Sequence, residues 1–167
     1  MKFIDTSKNE WHRVLGEDGP KPDPDPAPQL LLTLEQWHAV RGHWPAALPT
    51  AIELPNDYAV EELADDLPRF QLIVLRFPKW VDGRAYSQAR LLRGRYRFKG
   101  EIRAVGEVLV DMLQLLSRTG FDAVELRADQ SREAAERALR FFPAFYQGAL
   151  SENRPATKPV FAETAEA

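Results

Sequence analysis

The chain contains no cysteine, and that one absence excludes disulfides, thiol catalysis, thiolate zinc sites and ordinary iron–sulfur ligation together. It has no run of about 18 uncharged apolar residues, so no transmembrane helix is expected. The segment from Met1 to Trp11 meets Asp5 and Glu10 before any apolar stretch, which is not the pattern of a signal peptide. A cytoplasmic location is the expectation. Histidine is scarce as well: His12, His38 and His43 are the whole set. His38 and His43 are five apart, off the i, i+4 spacing that puts two ligands on one helical face. No metal site and no cofactor are therefore expected. No stretch is rich enough in glycine for a dinucleotide fingerprint or a Walker loop.

What is present suits one domain with tails. The 167 residues are 44% hydrophobic, enough to bury a core at this length. The net charge of −3 argues against binding nucleic acid through bulk charge. That charge is unevenly spread. Residues 1–67 hold 5 basic and 13 acidic side chains, whereas residues 68–127 hold 12 basic and 6 acidic. A basic block thus sits inside an acidic protein.

Residues 1–28 read as an N-terminal hairpin and a proline-rich linker. Phe3-Ile4 and Trp11 to Leu15 are the two short arms. Gly16 to Pro28 is too rich in proline for helix or central strand and reads as solvated and polyproline-like. Residues 29–150 read as an α/β domain, and 151–167 as a disordered tail. Within the domain, Leu30 to Leu32 is a short strand, and Thr33 caps a helix over Leu34 to Arg41. Strands are expected at 51–54, 70–77, 102–105 and 121–126. Helices are expected from about 57 to 67, 87 to 95, 108 to 118 and 131 to 142. Gly120 falls where a left-handed helix cap belongs. The run FQLIVLRF from Phe70 to Phe77 is apolar on both faces, as in a covered parallel strand. The order βαβαβαβα from residue 51 predicts a mainly parallel sheet, either an open wound sheet or half of a barrel.

Three features could carry chemistry. The loop after residue 77 lies at the carboxyl end of a strand, where α/β proteins bind ligands. It presents Lys79 and Arg84 as cations and Tyr86 and Ser87 as hydroxyls, with Ser87 placed to open a helix. The bland alternative is a structural turn built on Asp82-Gly83. Next, Arg84, Arg90, Arg93, Arg95, Arg97, Lys99 and Arg103 fall within twenty residues, against the single acid Glu101. Arginine forks suit carboxylate and other oxyanions. This run suits an acidic partner protein or a small oxyanion, or it is a solvated face tied to the acidic first third. A binding patch requires Arg84, Arg90, Arg93 and Arg103 to share a surface beyond the strand ends. The acidic balance and the absence of a known module weigh against nucleic acid. Third, Glu101, Glu107 and Asp111 cluster, but acids there fit the charge of a helix's first turn.

Two longer stretches carry a resemblance. They are Phe77 to Arg93 (FPKWVDGRAYSQARLLR) and Gly100 to Leu113 (GEIRAVGEVLVDML), joined by Gly120-Phe121-Asp122 and Glu125-Leu126-Arg127. Together they resemble a bacterial family of unknown function. Its members are commonly encoded beside assimilatory sulfite reductase and often labelled oxidoreductases of sulfite reduction. The similarity spans about residues 30–147. The family's loop maps onto Asp82, Gly83, Arg84, Tyr86 and Ser87, and its later motif onto Arg103, Gly106 and Asp111. Members usually have glycine where this chain has Ala85, and many have cysteine where it has Thr119. The resemblance implies a role in sulfur assimilation, with sulfite reductase or its electron donor as partner. The residues themselves hold no redox motif. The resulting expectation is a non-catalytic accessory protein that docks through Lys79, Arg84, Tyr86, Ser87, Arg90, Arg93 and Arg103. A small enzyme or sensor binding a sulfur oxyanion or phosphorylated ligand at residues 79–87 is the alternative.

Overall fold

A computed structural model describes residues 1–5, 9–16 and 19–141. The expected tail at 151–167 lies outside the described residues. In chain order the elements are β1 (Lys2–Phe3), β2 (His12–Arg13), β3 (Leu15–Gly16), β4 (Gly19–Pro20), β5 (Leu30–Thr33), α1 (Leu34–Val40), β6 (Thr50–Leu54), β7 (Phe70–Phe77), α2 (Arg84–Arg90), β8 (Glu101–Gly106), α3 (Leu113–Thr119), β9 (Ala123–Val124) and α4 (Arg132–Phe141). Seven strands form one sheet in the order β1-β9-β8-β7-β6-β5-β2, every neighbouring pair parallel. The sheet curls as a half-barrel, one of the two architectures that the βα alternation predicts.

From β5 to β9 spatial order follows chain order. Crossovers of one hand then return each helix to the same side of the sheet. The core records this. Trp37 of α1, Ala85 and Ala89 of α2, Leu113 and Leu116 of α3 and Ala135 of α4 join one apolar cluster with Leu32, Ile52, Ile73, Leu75 and Phe77. The other, concave face has a smaller cluster, Leu31, Ala51, Leu72, Val74 and Val105, to which no helix contributes. Strand β7 is therefore apolar on both faces because Ile73, Leu75 and Phe77 meet helices while Leu72 and Val74 line the concavity.

Trp11 is what packs on the concave cluster. The N-terminal arm thus differs from the expected one. Phe3 and Trp11 do not belong to two arms of one hairpin. Strand β1 extends the sheet beyond β9, and β2 extends it beyond β5, at the opposite edge. The arm's hairpin lies just downstream, where β3 pairs antiparallel with β4. The proline-rich stretch is largely exposed, as expected, but it is anchored at points. Pro24 is buried, and Gln36 Nε2 donates to the carbonyls of Val14 and Lys21 at 3.1 and 2.7 Å. Gln36 also completes the capping box that opens α1. Its backbone N–H donates to Thr33 Oγ1 at 3.2 Å, and its Oε1 accepts from Thr33 N–H at 2.9 Å.

Four elements depart from their patterns, each for a physical reason. The segment 57–67 forms two 3₁₀ turns, Val60–Leu63 and Leu67–Arg69. Val60 and Leu63 are three apart, the repeat that a 3₁₀ turn stacks on one side. The second helix begins at Arg84, not Ser87, because Asp82 Oδ1 accepts from Arg84 N–H at 3.2 Å and starts the turn early. It then widens into a π turn over Leu91–Arg95, closed by Tyr96 N–H to Leu91 O at 3.1 Å. Residues 108–118 divide into a 3₁₀ turn, Val110–Met112, and α3. Strand β9 keeps two residues of the expected six because its outer partner, β1, is itself two residues long. Gly120 adopts φ 106° and caps α3 as expected.

Gly106 ends β8 with φ +94°, and a Cβ there would lie 2.4 Å from Phe77 O. The left-handed backbone alone costs a non-glycine residue about 1–2 kcal/mol, and the clash adds to it. Gly106→Ala is expected to lower unfolding free energy by about 2 kcal/mol or more in urea melts. Gly42→Ala is the control: a Cβ there meets nothing within 4 Å, so no comparable loss should appear.

Candidate functional site

The carboxyl end of β7 leads into an exposed loop. Trp80 and Val81 are 57% and 65% exposed, among the most open large apolar side chains described. Lys79 beside them is exposed and makes no ion pair among the described residues. The loop closes on Asp82, whose Oδ2 accepts from Arg84 Nη2 at 2.7 Å. That contact holds the Asp82 carboxyl well below its ordinary range and raises the Arg84 guanidinium. Helix α2 then runs with Ala85, Gln88 and Ala89 buried, leaving Arg84, Ser87 and Arg90 as its exposed stripe. Arg90, like Lys79, has no acidic partner among the described residues. Lys79 therefore adds uncompensated positive charge beside an open tryptophan, and Arg90 adds its own at the last turn of α2.

The seven residues singled out in the sequence divide into four places. Lys79 on the loop and Arg84, Ser87 and Arg90 on the helix that follows it are exposed. Tyr86 points from the same helix into the core, its ring 5.1 Å from Phe77 and 6.3 Å from Phe121. Burial pushes its phenol up to about 12, so it stays a neutral packing group. Ala85 is fully buried on a helix, a position where glycine's conformational freedom has no use.

Arg93 sits at the other end of the sheet as a clamp. Its Nε donates to Gly120 O at 3.0 Å and its Nη1 to the carbonyls of Phe98 and Gly100 at 2.5 and 2.8 Å, and Nη2 reaches Asp122. It ties the end of α3 to the start of β8. Burial lowers the guanidinium pKa, and Asp122 opposes that shift. Arg103 lies on the concave face, its side chain 6% exposed, paired with Glu101. The four arginines therefore do not form one surface. Linear proximity placed them together, and the strand–helix geometry separates them by element and by sheet face. Conversely, charge reading passed over Trp80 and Val81. Their signal was two large apolar residues inside a polar turn, Pro78 to Gly83.

No group of three or more His, Asp or Glu side chains among the described residues is arranged to hold a metal ion. No helix among them is long and apolar enough to cross a membrane. Thr119, at the position where cysteine is frequent in the resembled family, is buried, and its hydroxyl donates to Leu115 O at 2.9 Å.

The split of the arginines is testable. Arg93→Ala leaves three carbonyls and Asp122 without their donor, and should lower stability by at least about 2 kcal/mol. Arg90→Ala should stay within about 0.5 kcal/mol. Urea unfolding of both variants checks the contrast. Tyr86 supplies a pH signature. Its folded pKa lies above the unfolded 10.0, so its contribution is complete below pH 10 and is lost as pH rises from there to about 12. Tyr86→Phe should remove that part of the alkaline decline in melting temperature.

A family model described as "Bacterial protein of unknown function (DUF934)" matches residues 51–157. No curated protein shows a match to the sequence.

Proposed function

Since the chain belongs to DUF934, a bacterial family of unknown function, we propose that it acts as a non-catalytic accessory protein of assimilatory sulfite reduction, docking on sulfite reductase or that enzyme's electron donor. The pathway assignment rests on the resemblance of residues 77–93 and 100–113. The docking assignment rests on one observation: Trp80 stands 57% exposed next to Lys79, an exposed cation with no ion pair among the described residues, with the exposed Arg84, Ser87 and Arg90 on the helix that follows. An open tryptophan is the side-chain type most enriched at the energetic centre of interfaces. Cations around it favour an acidic partner surface and speed the encounter. Sulfite reductase or its donor would meet this loop through an acidic patch of its own.

The alternative, capture of a small oxyanion at residues 79–87, is disfavoured by Asp82. Its carboxylate already takes the Arg84 N–H and guanidinium that an incoming anion would use.

The test is pull-down of sulfite reductase and its donor from a native lysate with Trp80→Ala and with Lys79→Glu/Arg90→Glu. Trp80→Ala should weaken capture at least about thirtyfold, the loss of one interface centre worth about 2 kcal/mol. The charge reversal should weaken capture most at low salt. Both variants should melt as the wild type does and should slow growth on sulfate as sole sulfur source. Folded, abundant variants that capture the same proteins and grow normally on sulfate would sink the proposal.

A further inference from the structure

Arg103 and Arg76 are the two cations of the basic block that strand alternation turns to the concave side of the sheet, and Arg103 is the buried one, since Arg76 is 46% exposed where it pairs with Glu53. Arg103 projects from the middle of β8, opposite Val74 on one neighbouring strand and Ala123 on the other. Its side chain is 6% exposed. Glu101 Oε1 accepts from its Nε and Nη2 at 2.9 and 2.7 Å, and Asn9 Oδ1 accepts from Nη1 at 3.0 Å. A guanidinium carries five N–H groups. Three are used in these bonds, and the other two have no acceptor among the described residues.

Arg103 lines a cavity of about 380 Å³, walled by Trp11 and Phe3 and reached by Lys2 and Arg132. Glu101 orients two of the cations, since its Oε2 accepts from Lys2 Nζ at 3.2 Å. Asp5 and Glu10 also line the space. Acids and cations are thus equal in number, which leaves no surplus charge to hold a polyphosphate. Burying an ion pair in a sheet otherwise lined by Leu72, Val74 and Val105 brings no stability that an apolar pair would not match. Leaving two guanidinium N–H groups without protein acceptors is a further cost unless something else accepts them.

We propose that this cavity binds one small oxyanion group, a carboxylate or a tetrahedral oxyanion, on the two remaining N–H groups of Arg103. Glu101 and Asn9 position the guanidinium, and Lys2 adds charge at the mouth. The site is independent of the docking face, which lies on the helical side of the sheet, so either can fail without the other.

The four tryptophans give the experiment its own controls. Trp11 walls the cavity, the Trp37 and Trp44 indoles donate to Asp66 and Thr50, and Trp80 is on the docking loop. The ¹⁵N-labelled full chain is titrated with sodium acetate, and separately with sodium phosphate, at constant ionic strength. The Trp11 indole N–H signal should move and saturate with at least one salt while the other three stay still. Saturation by acetate assigns a carboxylate, and saturation by phosphate alone a tetrahedral oxyanion. Arg103→Lys keeps the charge and loses the fork, and should raise the apparent Kd about tenfold, the loss of one charge-assisted hydrogen bond. Arg103→Leu/Glu101→Leu removes the pair together and should abolish saturation. Four signals drifting linearly with both salts would overturn the proposal. So would an unchanged Kd in Arg103→Lys, which decides the matter if the double variant does not fold.

Discussion

A sheet whose strands follow one another in order can be roofed by its own helices on one side only. That constraint governs this protein. The crossovers after β5, β6, β7 and β8 all return to the same face, and the large core forms there. The concave face must find cover elsewhere, since Leu31, Ala51, Leu72, Val74 and Val105 would otherwise meet water. The first residues of the chain supply it. Strands β1 and β2 bond to opposite edges of the sheet, and Trp11 and Asn9 reach the concavity between them. The two faces consequently have different chemistry. One is a packed apolar layer, and the other mixes a few aliphatic side chains with buried ion pairs.

Most of the helical side was legible in the sequence. The doubly apolar run at residues 70–77, the Thr33 cap and Gly120 each act through near neighbours, and local patterns report local forces. What was not legible depends on distant partners. Phe3-Ile4 and Trp11 to Leu15 look like hairpin arms because each is a short apolar run beside a polar turn. Their true partners, β9 and β5, are fixed by the edges of a sheet that the N-terminus cannot announce. The start of α2 was missed for a smaller reason. Ser87 and Asp82 are both acceptable openers, and the short-range contact between Asp82 and Arg84 chose the earlier one.

The candidate site was half legible. The loop after β7 follows from a general rule about strand ends, and Lys79, Arg84, Ser87 and Arg90 are all exposed. Arg93 and Arg103 were drawn in by linear density of charge, which cannot distinguish a solvated guanidinium from one spent on carbonyls or on a buried carboxylate. Alternation already held part of the answer. Arg103 stands between Ile102 and Ala104, which face the helices, so it had to face the other way.

The pairing of β1 with β9 has a consequence for how the chain assembles as it is made. Lys2 lies in register with Ala123, and Phe3 with Val124. Lys2 and Phe3 are therefore made well before β9 and wait for it before their own hydrogen-bond partners exist. Strand β2 waits far less, since Leu30 follows His12 closely. Synthesis thus lays down the helical side strand by strand, each against its predecessor, and the edge beyond β9 forms last. The concave face stays open on that side until β9 is made, so an arm made before the sheet is the last piece fastened to it.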